Sequence, residues 1–149
     1  MRIPIQSART VSGLNVTIPT DFTGDRNALL IAFESSHLLF FNAWKSALRE
    51  ALAADQSLGF YAVALIGNGS AWTRQITRWA LNYEVTEDFA REHTALVAVD
   101  PGEWGRHLGL RDFTAPLLVI CSPDGEVHAT AEGPPRAVTT QATARALLL

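Results

Sequence analysis

Few side chains in this sequence are placed to do chemistry. Cys121 is the single cysteine, and it ends the apolar run LLVIC. A reactive thiol needs an electropositive, accessible setting, and no such neighbours surround it; a buried, inert cysteine is the plainer reading. Ser35-Ser36-His37 sets two hydroxyls beside a base. Adjacent residues rarely meet in the geometry of nucleophilic catalysis, which also wants a third group to orient the base. A serine N-cap followed by a surface histidine explains the triplet as well. Glu34 and Asp100 each follow an apolar run, where a carboxylate pair would suit acid–base work, but without a surrounding motif both read as caps or polar strand ends. The histidines, His37, His93, His107 and His128, lack any HxH, HExxH or His-x₃-His spacing, so only a metal site assembled from distant segments stays open. There is no GxGxxG or GxxxxGKS pattern. No cofactor is expected.

The 149 residues suit one domain with a real core, and 48% hydrophobic with 18% charged residues is ordinary globular composition. A net charge of −3 gives no basic footprint, so nucleic acid is not an expected partner. One cysteine excludes an intrachain disulfide and a CxxC pair. MRIPIQSARTVSGL lacks the apolar run of about 7–15 residues in a signal peptide. No stretch approaches the roughly 20 apolar residues of a membrane span. The expectation is a cytoplasmic domain with no membrane partner.

Residues 1–13 are weakly patterned and read as an extension lying on the surface, before a domain over 14–149. Leu14–Pro19 alternates as a strand, and TDFTGDRN is a turn. Ala28–Phe33 is an apolar run suited to a strand buried on both faces. From Ser36 to Ala54 the period changes to about 3.6, with Phe40, Trp44, Ala47, Leu48 and Ala51 on one face. Ser35 or Ser36 is the natural N-cap, and Leu38 and Leu39 fall off the stripe. Phe60–Ile66 is a second buried strand. SAWTRQITRWALNY resumes helical spacing, with Trp72, Ile76, Trp79 and Tyr83 on one side. Thr94–Val99 is a third strand, and Asp100-Pro101 is a cap-and-N1 pair opening a short helix that Gly109 closes. LLVIC, the SPDG turn and EVHATAEG form a hairpin. TTQATARALLL is a last helix with Ala142, Leu147 and Leu148 available to dock. Helical crossovers between the apolar strands require a parallel portion, and the hairpin adds an antiparallel edge.

In this order the segments resemble the thioredoxin-like superfamily, in its longer peroxiredoxin and TlpA-like branch. The matching stretches are VTIPTDFTGDRNALLIAF, FYAVALIGNGSAW and VAVDPGEWGRHLGLRDFTAPLLVICSPDGEVHATAEG. The resemblance implies an α/β, three-layer fold: a mixed central sheet with helices on both faces. It also implies a cis bond before Pro116, with Ala115 presenting its main chain to an extended peptide. Enzymes of this kind place their reactive cysteine at the start of the helix after the buried strand, where the helix dipole lowers the thiol pKa. That position falls within Ser35–Asn42, which reads SSHLLFFN, so the family's redox mechanism is not available.

The function this leaves is non-catalytic. The degenerate corner, with Ser36, Leu38, Leu39, Ala115 and Pro116, is expected to bind a protein or peptide or to pair two copies of the chain, since exposed apolar residues at one corner mark an interface. Two other classes stay open. One is a thiol peroxidase or redox sensor using Cys121; the other is an assembly or scaffold factor, by distant similarity to the thioredoxin-like mitochondrial ATP-synthase assembly family. Trp72, Trp79 and Tyr83 suit a core, or a groove beside the inserted helix.

Overall fold

A strand with no solvent face needs a neighbour at each edge and a layer on each side. β3 (Arg26–Ala32) is such a strand, buried at every residue but its first in a computed structural model that describes residues 1–67, 88–110, 112 and 114–148. The expected helix carrying Trp72, Ile76, Trp79 and Tyr83 lies outside the described residues. β4 (Leu58–Leu65) runs parallel to β3, with Arg26 opposite Leu58 and Ala32 opposite Ala64. β6 (Leu117–Cys121) runs antiparallel on its other edge, with Asn27 opposite Cys121. β5 (Thr94–Val97) continues the parallel block beyond β4. β7 (Val127–Glu132) follows β6 through the SPDG turn, where Gly125 takes a φ of 89° that favours glycine. β1 (Gln6–Thr10) and β2 (Asn15–Ile18) form a hairpin that docks on β5, giving the order β2-β1-β5-β4-β3-β6-β7.

Residues 1–13, expected on the surface, therefore supply an inner strand. Main-chain pairing on both edges holds β1, while its side chains alternate between half-buried and exposed up to buried Thr10. No apolar run marks it in the sequence.

Successive strand residues face opposite layers. Ala28, Leu30, Phe60, Ala62, Leu118 and Ile120 face a core closed by Phe41, Trp44, Leu48, Ala51, Ala146 and Leu147. These belong to α1 (Phe41–Ala47), α2 (Arg49–Ala54), the residue between them, and α5 (Ala137–Leu148). Leu29, Ile31, Tyr61, Val63, Ala95 and Val119 face a second core, capped by Trp104 of α4 (Pro101–His107) and by Leu108. The sheet is mixed and has helices on both faces, as the resemblance implies. α4 starts as expected, with Asp100 accepting from the Gly102 N–H at 3.1 Å and Pro101 at its first position. A short α3 (Asp88–Glu92) precedes β5. The last helix docks through Ala146 and Leu147, whereas Ala142 and Leu148 stay exposed.

The helix expected from Ser36 to Ala54 is divided. Ser35–Phe40 is a 3₁₀ helix, α1 follows, and α2 begins after Leu48. Glu34 occupies the cap position of the 3₁₀ segment, and Ser36 Oγ donates to Glu34 Oε1 at 2.7 Å. In a 3₁₀ helix side chains three apart eclipse. Leu38 thus lines up with Phe41 and Trp44 and enters the core at 1% exposure, while Leu39 stands out at 63%. The expected exposure of Leu38 is corrected: a stripe projected at 3.6 residues per turn places it wrongly. This register sets a direct contrast. Leu38→Ala should cost about 2–5 kcal/mol in urea unfolding, and Leu39→Ala should stay within about 0.5 kcal/mol. Equal losses would contradict the 3₁₀ register.

Candidate functional site

The end of β3 and the start of β6 are neighbours, since Ile31 stands opposite Leu117. The 3₁₀ segment leaving β3 and the chain entering β6 therefore meet at one corner. His37 joins them. It is 1% exposed, and its Nδ1 lies 3.0 Å from the Phe33 backbone nitrogen, while its Nε2 lies 3.1 Å from the Thr114 carbonyl oxygen. A backbone N–H can only donate, so Nδ1 is the acceptor and carries no proton. Nε2 then holds the proton and donates it to the Thr114 carbonyl. The ring is neutral, with both nitrogens in use.

Two further bonds close the corner. The Gly133 N–H donates to the Pro116 carbonyl at 2.8 Å, and buried Trp44 Nε1 donates to the Gly133 carbonyl at 2.9 Å. The 3₁₀ segment, the chain before β6, the chain after β7 and α1 are thereby tied together by hydrogen bonds, of which those at Phe33 and Trp44 are buried.

This arrangement cannot activate a hydroxyl. Ser36 gives its proton to Glu34, not to His37, and His37 has no free lone pair with which to act as a base. Glu34 Oε1 also lies 3.5 Å from His37 Nε2, close enough to favour an imidazolium. Desolvation outweighs that carboxylate and the Thr114 carbonyl, and it lowers the His37 pKa from its ordinary value. The surface position expected for His37 is corrected: a side chain with one donor and one acceptor matches the two main-chain groups that this corner must satisfy.

Of the other residues expected at the corner, Ser36 and Leu39 are exposed, Ala115 is half-buried, and Leu38 and Pro116 are buried. Ala115 lines a pocket of about 30 Å³ together with Leu110, Thr114 and Glu132, room for about one water and not for a peptide side chain. Among the described residues the cis peptide bond is Ile18–Pro19, so the cis bond expected before Pro116 is not found. Asp100 and Glu34 serve as a helix cap and a hydroxyl acceptor, not as a carboxylate pair. His37, the residue that determines the corner, was placed on the surface in the sequence. Nothing in SSH distinguishes a buried bridging imidazole from an exposed one.

Cys121 lies in β6 at 0% exposure, facing the Trp104 layer. Burial first, and the Asp124 charge second, push its thiol up to about 12. About one thiol in 10⁵ would then be ionised at pH 7. Among the described residues no group of three or more His, Cys, Asp or Glu is placed to hold a metal, and no helix is long and apolar enough to cross a membrane.

No family model matches the chain, and no curated relative does. Solved structures are similar in fold. A candidate electron transfer protein from Aquifex aeolicus matches at a TM-score of 0.70 and 10% identity, covering 99% of this chain and 96% of its own. The exposed lipoprotein thioredoxin Etrx1 from Streptococcus pneumoniae matches at 0.60 and 13%, over 95% and 98%. A secreted disulfide oxidoreductase from Mycobacterium tuberculosis, homologous to DsbE of E. coli, matches at 0.52 and 18%, over 96% and 95%. The fold is thioredoxin-like, and this chain has one cysteine, which is buried away from the corner.

The neutral His37 has a consequence in pH. Because its folded-state pKa is lowered, the unfolded chain takes up the proton first as pH falls. The stabilisation is complete above the ordinary value of 6.5 and is lost as pH falls from there through the folded-state value. His93 is shifted the same way by its own burial. Unfolding free energies between pH 7.5 and 5 should therefore fall in the wild type. His37→Asn should lose about 1–3 kcal/mol at neutral pH and show a shallower decline, with the remainder removed by also replacing His93. An unchanged slope in His37→Asn would show that the ring titrates equally in both states.

Proposed function

We propose that this chain is a non-catalytic thioredoxin-like domain that binds a protein or peptide, or a second copy of itself, at the corner sealed by His37. The observation that carries the reading is the occupancy of the corner. Where the resemblance to the superfamily implies a reactive cysteine, a neutral imidazole is bonded through both nitrogens and Leu38 is buried in the core. What remains accessible is a polar rim, Ser36 and Glu34, around Leu39 at 63% exposure. An apolar side chain standing on a rigid support loses little freedom on docking, which favours binding over turnover. A role as an assembly or scaffold factor would use the same surface.

A thiol peroxidase or sensor acting through Cys121 has its burial and raised pKa against it. Titration of the native protein with a thiol reagent should give a slow reaction that becomes fast on unfolding, and peroxide should not be consumed catalytically.

Association supplies the positive test. Sedimentation equilibrium would detect self-association, and a random-peptide selection on the wild type would supply ligands. Leu39→Asp should weaken the dimer or the selected peptides at least tenfold while leaving the urea midpoint unchanged. Association untouched by Leu39→Asp, or peroxide turnover lost in Cys121→Ser, would contradict the proposal.

A further inference from the structure

A second concavity lies at the opposite end of the parallel strands from the His37 corner. It has a volume of about 250 Å³, equivalent to about eight waters of liquid. The β1–β2 hairpin forms one wall through Thr10, Leu14 and Val16, and Glu92 and His93, at the end of α3, form the other. Phe22, Tyr61 and His93 of its lining belong to an aromatic ladder that ends on Phe89 outside it. Phe22 stacks on Tyr61 at 4.0 Å between ring centroids, Tyr61 on His93 at 5.0 Å, and His93 on Phe89 at 3.8 Å. The rings are fixed in place. Tyr61 Oη lies 2.8 Å from Thr23 Oγ1 and accepts from the Thr23 N–H, and His93 Nδ1 donates to the Phe89 carbonyl at 2.7 Å. A ligand would meet a preformed surface.

The charge of the lining is of one sign. Asp21 and Glu92 are the acidic residues of the lining, and among the described residues no lysine or arginine lines the cleft. Asp21 is held there because its carboxylate accepts from the Thr17 N–H at 2.7 Å, which ties the turn leaving β2 back onto that strand. His93 adds no compensating charge, since burial disfavours its imidazolium. Lys45 sits 4.2 Å over the Phe89 ring, at the end of the ladder, and is not part of the lining. A mostly apolar cavity with convergent polar groups at its rim is the common form of a small-molecule site.

We infer that this cleft binds a small organic cation: a primary amine with a compact apolar or aromatic body, its ammonium group between Asp21 and Glu92 and its body against Tyr61, Val16 and Ala95. The site does not depend on the His37 corner, and failure of one leaves the other standing.

Phenethylamine, titrated into ¹⁵N-labelled protein, is the probe. It should give saturable shifts at the amides of Thr10, Leu14, Thr23 and His93, with a Kd on the order of 1 mM. 3-Phenylpropionate, with a similar body and the opposite charge, should bind at least tenfold more weakly. Glu92 and Leu14 are both exposed, so Glu92→Lys and Leu14→Arg should keep the fold while weakening the amine at least tenfold, and Glu92→Lys should favour the carboxylate. Leu39→Asp should change neither titration. Equal affinity for the two probes, shifts outside the cleft, or no saturable amine binding would overturn the assignment.

Discussion

The imidazole of His37, held between the Phe33 N–H and the Thr114 carbonyl, is the interaction on which the corner depends. Two main-chain groups distant in sequence, the Phe33 N–H and the Thr114 carbonyl, need partners, and one neutral ring, itself 77 residues from Thr114, supplies an acceptor and a donor at once. Removing a partner from a buried group costs more than the net worth of the bond itself, so the ring is difficult to replace piecemeal. With the ring seated, Leu38 turns into the core behind it and Leu39 is left outside. The same geometry decides the chemistry. A ring whose lone pair and proton are both committed cannot serve as a general base, and the serine beside it is engaged by Glu34.

The sheet accounts for the burial of the one thiol. β6 is an inner strand, with β3 on one edge and β7 on the other, and helices close both layers. A cysteine there has no access, and the Asp124 charge acts against its ionisation. The neighbouring register is equally tight. Asn27 stands opposite both Cys121 and Gly59, and its buried amide bonds Gly24 in both directions, at 3.1 and 3.0 Å. A Cβ on Gly59 would overlap the Asn27 side-chain oxygen, so glycine at that position follows from close approach.

Much of the fold was legible because its signals are local. The apolar runs at Ala28–Phe33, Phe60–Ile66 and LLVIC have no alternative to burial, Asp100-Pro101 opens a helix by cap chemistry, and SPDG turns a hairpin. β1 escaped notice because main-chain pairing leaves no trace in QSART. The candidate site was less legible for two reasons. Leu38 was projected with the α-helical period, whereas its segment winds at about three residues per turn. The environment of His37 is not local, since its hydrogen-bond partner Thr114 lies 77 residues along the chain. The cleft over Tyr61 was not legible for the reason β1 was not: Leu14–Pro19 reads as a strand, but the partner strand that completes that wall leaves no trace in the sequence.

The central claim is that the corner is locked by a neutral His37 protonated at Nε2. Long-range ¹H–¹⁵N correlation of the histidine side chains, followed through a pH titration, reads that state directly. The account predicts an Nδ1 shift typical of an unprotonated acceptor, an Nε2 bearing its proton, and a midpoint below 6.5. A ring protonated at Nδ1, or one titrating at or above 6.5 like an exposed histidine, would mean that the corner is open and that its chemistry must be considered again.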